Sequence, residues 1–315
     1  MPRFSLSRAV AGLLLVAFPT VLRAESVELR WRFTKGQVLK YLLKHREVRD
    51  ARIGTLEPST TTDTEYELEW TVQDVDDQGT ATIEQKLTAL RVSISGKDRE
   101  FHYNSARANE STEAYQKKLI QLYDQLRFTT YRLKLKSDGT VAEVYGFDKL
   151  LDEIGSGLTG GGFNVLDFEG INVRDGSFGW FLQQALGTLP RGAIGQGAKW
   201  SQPVQAKLAG LGELTGRNDF TLGSVVTVGD RPCWEIAFKG AQSLEVDMKW
   251  IGNNLLRGTL KAGKLGGTIR FDAQAGKLAA SQVEAEISGD LKLGAGDSNA
   301  VLKISFRHTV EMEAR

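Results

Sequence analysis

Residues 302–312 read LKISFRHTVEM, and this stretch decides the fold. Its apolar side chains, together with His308, occupy every second position from Leu302 to Met312, and mostly polar side chains fill the alternate positions. Because successive side chains of a β-strand point to opposite faces of a sheet, this period of two predicts a strand buried on one face. The predicted strand is longer than most strands of globular proteins.

The same alternation recurs at residues 27–33, 66–73 and 283–293, which predicts further long strands. Turn-forming residues at 76–79 and 137–140 separate alternating runs and predict antiparallel hairpins. The chain has 34 glycines and six prolines, a balance that suits tight turns and bent strands. The sequence therefore predicts a mainly β, β-rich α+β protein with long curved antiparallel sheets or partial barrels.

Helical periodicity is confined to the middle of the chain, where about three helices are predicted. The first covers about residues 112–127, and shorter helices are predicted around 150–154 and 178–186. The loop 155–162 between the shorter helices contains five glycines and is predicted to be flexible.

A weak internal repeat divides the chain, because residues 36–41 (GQVLKY) are echoed by residues 195–200 (GQGAKW). Hairpin turns follow both segments in the same order, which is typical of two β-modules with a similar plan. The predicted organisation is a signal peptide (1–24), a first β-module (25–146) with an inserted helix at about 112–127, a helical connector with a Gly-rich loop (147–190), and a second β-module (191–315).

The N-terminus has the pattern of a secretory signal peptide. Arg3 and Arg8 precede an apolar run from Ala9 to Leu22, and Ala24 offers a small residue for cleavage. We therefore expect export to the periplasm or the extracellular space. No later stretch approaches the roughly 20 apolar residues of a membrane-spanning helix, so no integral membrane segment is expected after cleavage.

The charge balance argues against a nucleic-acid partner, and the cysteine content excludes an intrachain disulfide. The formal net charge is +1, with 40 basic and 39 acidic residues; removal of residues 1–24 takes away three arginines and leaves 37 against 39. This balance predicts no nucleic-acid partner, since such binding needs a concentrated basic face. The single cysteine, Cys233, cannot form an intrachain disulfide and is expected to be a quiet, partly buried thiol.

Short motifs in the second half carry a family resemblance. Residues 195–200 follow Leu189-Pro190, and residues 267–272 (GTIRFD) precede Gly276-Lys277-Leu278. With these elements the mature chain resembles an uncharacterised family of exported bacterial proteins of planctomycete type, catalogued as a domain of unknown function. The resemblance covers most of the mature chain, and it implies no functional residue.

No catalytic motif emerges, and we predict that the protein is not an enzyme. Residues 155–160 have the glycine spacing of a dinucleotide-binding loop, but a predicted helix rather than a strand precedes them. The histidines His45, His102 and His308 stand apart, without a second ligand at metal-binding spacing, and His308 is interpreted as a core histidine. The sequence thus predicts no cofactor and no metal site, although it leaves open a site assembled from distant strands.

Aromatic side chains are the remaining candidates for a binding site. The predicted ligand-binding residues are Trp70, Trp234 and Trp250 on strands and Trp180 and Phe181 on a helix. We expect a non-enzymatic extracytoplasmic protein that holds a lipid or another hydrophobic molecule in a concave sheet, or that binds an envelope protein. The alternative is a structural or protein-interaction module with a solid core and no ligand. A hydrolase built from scattered residues ranks third.

Overall fold

A single antiparallel sheet of twelve strands dominates the described part of the chain. The computed structural model describes residues 26–97, 99–127, 130–146, 182–208, 212–249, 255–295 and 298–315. Its strands are β1 (Ser26–Glu28), β2 (Val38–Ile53), β3 (Ser59–Val75), β4 (Ala81–Gly96), β5 (Arg99–Asn104), β6 (Thr130–Leu135), β7 (Val141–Tyr145), β8 (Ala193–Gly195), β9 (Lys199–Leu208), β10 (Gly212–Val228), β11 (Arg231–Lys249), β12 (Leu255–Asp272), β13 (Lys277–Ala295) and β14 (Ser298–Ala314). The predicted β-rich fold with long antiparallel strands is confirmed.

The strand order in the large sheet is β7-β6-β4-β3-β2-β14-β13-β12-β11-β10-β9, with β5 paired to β4, while β1 and β8 form a separate pair. Within the described residues the outermost strands, β7 and β9, do not pair with each other, so the sheet is open. From β2 at the centre, successive strands of the large sheet lead outward to β7 at one edge. The next strand, β9, lies at the opposite edge. Strands β10 to β13 then lead back towards the centre, where β14 pairs with β2.

Both predicted β-modules contribute to this one sheet. Strands β2, β3, β4, β6 and β7 come from the first module and β9 to β14 from the second, and each set follows the same direction across the sheet. Helix α1 (Ala114–Arg127) lies in sequence between β5 and β6. A short helix follows at residues 182–186; the helix expected near 150–154 and the Gly-rich loop lie outside the described residues. The origin of the two modules as repeats stays a prediction.

Bulges keep the apolar side chains on one face of long strands. In β4, Ile83 and Leu87 are buried at odd positions, whereas Leu90 and Val92 are buried at even positions. The register with β3 shifts between these two groups, at Glu67/Leu68. Because a bulge inserts one extra residue, it returns the following side chains to the same face and bends the strand.

The first apolar cluster fills the space between one end of the sheet and the elements that cover it. It includes Trp31 before β2, Leu119 and Leu122 of α1, and Leu186 and Leu189 near the short helix. The ring of Trp31 stacks on Phe33 and meets Phe271 edge to face. Within the described residues, no helix is both long and apolar enough to cross a lipid bilayer.

Gly187 closes the short helix against this cluster. Its φ of +67° is rarely adopted by residues with a side chain. A Cβ atom at this position would lie 2.2 Å from Cδ1 of Ile269, so no side chain fits without displacing the core. Glycine is therefore favoured here by its backbone conformation, and any side chain would also require Ile269 to shift.

Candidate functional site

A second apolar cluster occupies the same face of the sheet at the opposite end of the strands. Its members all come from strands of the large sheet, whereas the first cluster also includes residues of α1 and of the segments before β2 and β8. The cross-strand register places them on one face: Leu214 pairs with Leu244, Leu244 with Leu260, and Leu291 with Leu302. The buried members are Leu214, Leu244, Val246, Leu256, Leu260, Leu291 and Leu302.

Half-buried side chains border this second cluster on β2, β13 and β14. We call them the apolar strip: Ala51, Ile53, Ile287, Ile304 and Phe306. Ile304 pairs with Ala51, and Phe306 pairs with Ile287, so the strip is continuous across three neighbouring strands. Unlike the buried members, these side chains keep part of their apolar surface accessible. The apolar strip is therefore a surface that a hydrophobic molecule can contact.

Gly289 lies within the apolar strip, opposite Ile304. A Cβ atom here would lie 2.2 Å from the backbone oxygen of Thr259 on the neighbouring strand. Glycine inside a strand often marks close approach of another backbone. A side chain at this position would overlap β12, so glycine allows β12 and β13 to pair closely at this point of the apolar strip.

Polar side chains continue the same face beyond Phe306. We call His45, Glu47 and His308 the histidine cluster. Nε2 of His45 lies 3.1 Å from Nδ1 of His308, and the same Nδ1 lies 3.5 Å from Oε2 of Glu47. The Arg49 guanidinium joins the two regions, because it donates to Glu47 at 2.8 Å and lies over the Phe306 ring at 5.7 Å.

The environment keeps both histidines of this cluster neutral at pH 7. Desolvation by burial, followed by the nearby His308, lowers the pKa of His45 to about 4, against the opposing effect of Glu47. Desolvation also lowers the pKa of His308, although the Glu47 carboxylate acts in the other direction. Neutral imidazole is the form that binds metal ions. His45, His308 and Glu47 are therefore the described residues that offer donor atoms to a metal.

On β10 and β11, buried amide side chains lie between the two apolar clusters, as the histidine cluster does on β2 and β14. Nε2 of Gln242 donates to Oδ1 of Asn218 at 2.9 Å, and both amides approach Oε1 of Gln184 at about 3.5 Å. No hydrogen-bond partner among the described residues satisfies the buried Nε2 of Gln184. Polar groups thus lie between the two apolar clusters on β2, β14, β10 and β11.

The aromatic residues predicted from the sequence lie elsewhere. Trp70 is fully buried in the first apolar cluster, and its Nε1 donates to Oε1 of Gln85 at 2.6 Å, so its ring presents no surface to a ligand. Trp234 is partly buried against the same cluster. Trp180, Phe181 and Trp250 lie outside the described residues. None of the described tryptophans belongs to the apolar strip, and His308 is half-buried beside His45 rather than enclosed in apolar core.

The third histidine has an arrangement that superficially resembles a catalytic triad. Nδ1 of His102 lies 3.0 Å from Oγ of Ser93, and its Nε2 lies 3.0 Å from Oε1 of Glu100. The side chains of His102 and Glu100 are 56% and 77% exposed, so water competes for both contacts. A groove of about 560 Å³ beside them is lined by exposed ion pairs such as Arg46 with Asp63. These are ordinary contacts of cross-strand and alternate residues on a solvated sheet face.

The comparison with protein families identifies one match. The model described as "Family of unknown function (DUF6263)" matches residues 78–278, well over half of the 315-residue chain. This confirms the resemblance to a family catalogued as a domain of unknown function. No curated protein matches the chain.

Three solved structures that match the chain are distant likenesses. Lipovitellin, from a structure described by its lipid–protein interactions, is 12% identical with a TM-score of 0.45; the match covers 90% of this chain and 25% of that one. DynF from the dynemicin biosynthesis pathway of Micromonospora chersina is 10% identical (TM-score 0.20), covering 96% and 92%. Pseudomonas aeruginosa OpdQ is 5% identical (TM-score 0.21), covering 89% and 99%. The chain thus spans about a quarter of the lipovitellin chain, and scores this low assign no function.

Proposed function

For this chain, which belongs to the DUF6263 family of unknown function, we propose the role of an exported, non-enzymatic protein that binds a hydrophobic molecule along the apolar strip. The observation that carries the proposal is the continuous set of half-buried apolar side chains on β2, β13 and β14. Water in contact with such a surface is released when an apolar ligand covers it, at about 25 cal/mol for each Å² removed from water.

The surroundings of the strip favour an amphiphilic ligand over a purely apolar one. Small-molecule sites combine a mostly apolar wall with a few polar groups that fix the orientation of the ligand. Phe306 and Ile304 supply the wall, and Arg49 with the histidine cluster supplies polar groups at one end. A lipid acyl chain has the shape to lie across the three strands, which are spaced about 4.8 Å apart.

Export rests on the sequence pattern of residues 1–24, with its arginines, apolar run and small residue for cleavage. Cell fractionation followed by N-terminal sequencing tests it. We expect the protein outside the cytosol with residues near Ala24 removed. An intact N-terminus on a cytosolic protein would contradict export.

Two measurements test ligand binding directly. Mass spectrometry of organic-solvent extracts from the protein purified out of its own envelope is expected to reveal a bound lipid or small hydrophobe. In addition, a fluorescent fatty-acid analogue is expected to bind the delipidated protein and to be displaced by oleic acid. The absence of both signals would overturn the proposal.

A matched pair of variants on β14 locates the site. Ile304→Asn introduces a polar group into the apolar strip, and we expect it to weaken binding of the fatty-acid analogue by about tenfold. Val301→Asn places the same side chain on the opposite face of the same strand, where Val301 is 41% exposed, and is expected to leave binding unchanged. Equal effects of both variants would show that the ligand does not contact the apolar strip.

A further inference from the structure

Three donor atoms from two strands converge in the histidine cluster. One possible ligand atom from each of His45, Glu47 and His308 lies within 4.8 Å of the other two. Two of the separations are 3.1 and 3.5 Å. In a tetrahedral zinc site with metal–ligand bonds of about 2.0–2.2 Å, neighbouring donor atoms are about 3.3–3.6 Å apart. Two of the three separations are therefore close to those of ligands around one metal ion, and the third is within 4.8 Å.

The sheet itself positions these three side chains. His45 and Glu47 are alternate residues of β2 and share a face, and His308 lies directly opposite Glu47 on β14. Each side chain is partly buried, with 24% exposure for His308 and 13% for Glu47. Ligands held on paired strands are better preorganised than ligands on loops, and partial exposure leaves a route for the ion. The cluster thus combines fixed geometry with access.

We propose that the histidine cluster binds one divalent transition-metal ion, of which Zn²⁺ is the best match to its two imidazoles and one carboxylate. Three protein ligands leave a fourth coordination position for water or another donor. The metal proposal does not rest on the hydrophobic ligand, because it is argued from the donor atoms of the histidine cluster and is tested by metal titration alone.

In the metal-free protein a hydrogen bond joins the two facing ring nitrogens of the cluster. One of the two facing nitrogens carries a proton in the metal-free protein, because they are 3.1 Å apart in a hydrogen bond. On metal binding that ring must change tautomer and carry its proton on the other nitrogen, which gives the metal two lone pairs.

Arg49 supplies an outer contact of the kind that orients metal ligands. Its guanidinium donates to Oε1 of Glu47 at 2.8 Å, which leaves Oε2 as the atom that faces His308. Hydrogen bonds to a ligating carboxylate fix its orientation, and loss of such partners typically reduces metal affinity by about 10- to 100-fold. Arg49 is thus a positioning residue for Glu47.

Calorimetric titration of the full chain with ZnCl₂, after removal of metal with EDTA, tests the proposal at neutral pH. We expect one equivalent of Zn²⁺ to bind, and we expect His45→Gln and His308→Gln each to weaken binding by about 100-fold or more. His102→Gln is the matched control, because it removes a histidine that lies on β5 away from the cluster, and it is expected to bind like the wild type. Circular dichroism verifies that each variant is folded.

Two further readouts keep the test decisive if a histidine variant fails to fold. Glu47→Gln is nearly isosteric and is expected to lower Zn²⁺ affinity while the sheet remains intact. Co²⁺ added to the wild-type protein is expected to give the visible absorption of a four-coordinate ion, which Glu47→Gln reduces. A wild-type protein that binds no stoichiometric Zn²⁺, or a His102→Gln variant that loses binding as much as His45→Gln, would overturn the proposal.

Discussion

His45 and His308 are separated by 263 positions in the sequence, yet Nε2 of the first lies 3.1 Å from Nδ1 of the second. The pairing of β2 with β14 brings them together at the centre of the sheet. The rings are nearly parallel, with 10° between their planes. The two histidines therefore lie at the junction between the N-terminal and C-terminal halves of the sheet.

This junction is expected to make stability depend on pH in the metal-free protein. The pKa of His45 is about 4 when folded and about 6.5 when unfolded, so the unfolded state binds more protons between these values. The contribution of neutral His45 to the free energy of unfolding is fully present above about pH 6.5. It is lost as the pH is lowered towards 4, which reduces the free energy of unfolding by up to about 3 kcal/mol. Urea unfolding at several pH values with EDTA present measures this change in stability. The assignment to the two histidines would be refuted if a double variant, His45→Gln with His308→Gln, kept the same dependence of stability on pH.

Loss of the Gln85 side chain is expected to destabilise the first apolar cluster. Gln85 accepts a hydrogen bond from Nε1 of Trp70 and also contacts the hydroxyl of Tyr131, and all three residues are buried. Gln85→Leu keeps the volume but removes the acceptor of the buried Nε1 of Trp70, at a cost of about 1–3 kcal/mol in unfolding free energy. Chemical denaturation measures the change. Gln73→Leu, at an exposed position of β3, is the control and is expected to change stability by less than about 0.5 kcal/mol.

A pair of glycine variants is expected to separate backbone strain from steric overlap. Gly192 and Gly187 have similar positive φ values of +75° and +67°. No atom lies within 4 Å of a Cβ at Gly192, whereas Cδ1 of Ile269 lies 2.2 Å from one at Gly187. Gly192→Ala is therefore expected to cost about 1 kcal/mol, and Gly187→Ala substantially more. Equal losses in thermal melts would show that the core yields around residue 187.

Cys233 is expected to be unreactive in the folded protein. Its side chain is fully buried, and desolvation raises the pKa of the thiol, so little reactive thiolate is present. Ellman's reagent should react with it only after unfolding in guanidinium chloride, whereas the added thiol of Ser288→Cys on an exposed position of β13 should react at once. Rapid reaction of native wild-type protein would indicate local opening around β11.

Local patterns in the sequence predict where the strands lie but not which strands pair with each other. Alternation predicted that Leu302 to Met312 form a strand with one buried face, and the change of phase between Leu87 and Leu90 marks a bulge. The alternation also placed Trp70 on the buried face correctly. It does not distinguish between the two apolar clusters on that face, because both ends of a long strand carry the same period.

The histidine cluster was missed because its geometry depends on a long-range pairing. His45 shares a phase with Tyr41 and Leu43, and His308 shares one with Phe306 and Val310, so both histidines were visible as polar residues on inward-facing positions. Only the register of β2 with β14 shows that they meet, and no local signal encodes which strands pair across 263 residues. Two inward-facing histidines on separate strands are the signal to use in similar sequences.

The pairing of β2 with β14 also sets the order in which the molecule is completed. The 17-residue strand β14 is synthesised after β2 to β13, and it joins the two halves of the sheet. Until then β2 and β13 each present an unpaired edge to the surroundings, and such edges invite pairing with other chains. A nascent or truncated chain that lacks β14 is thus predisposed to intermolecular strand exchange, and protection of these two edges depends on β14.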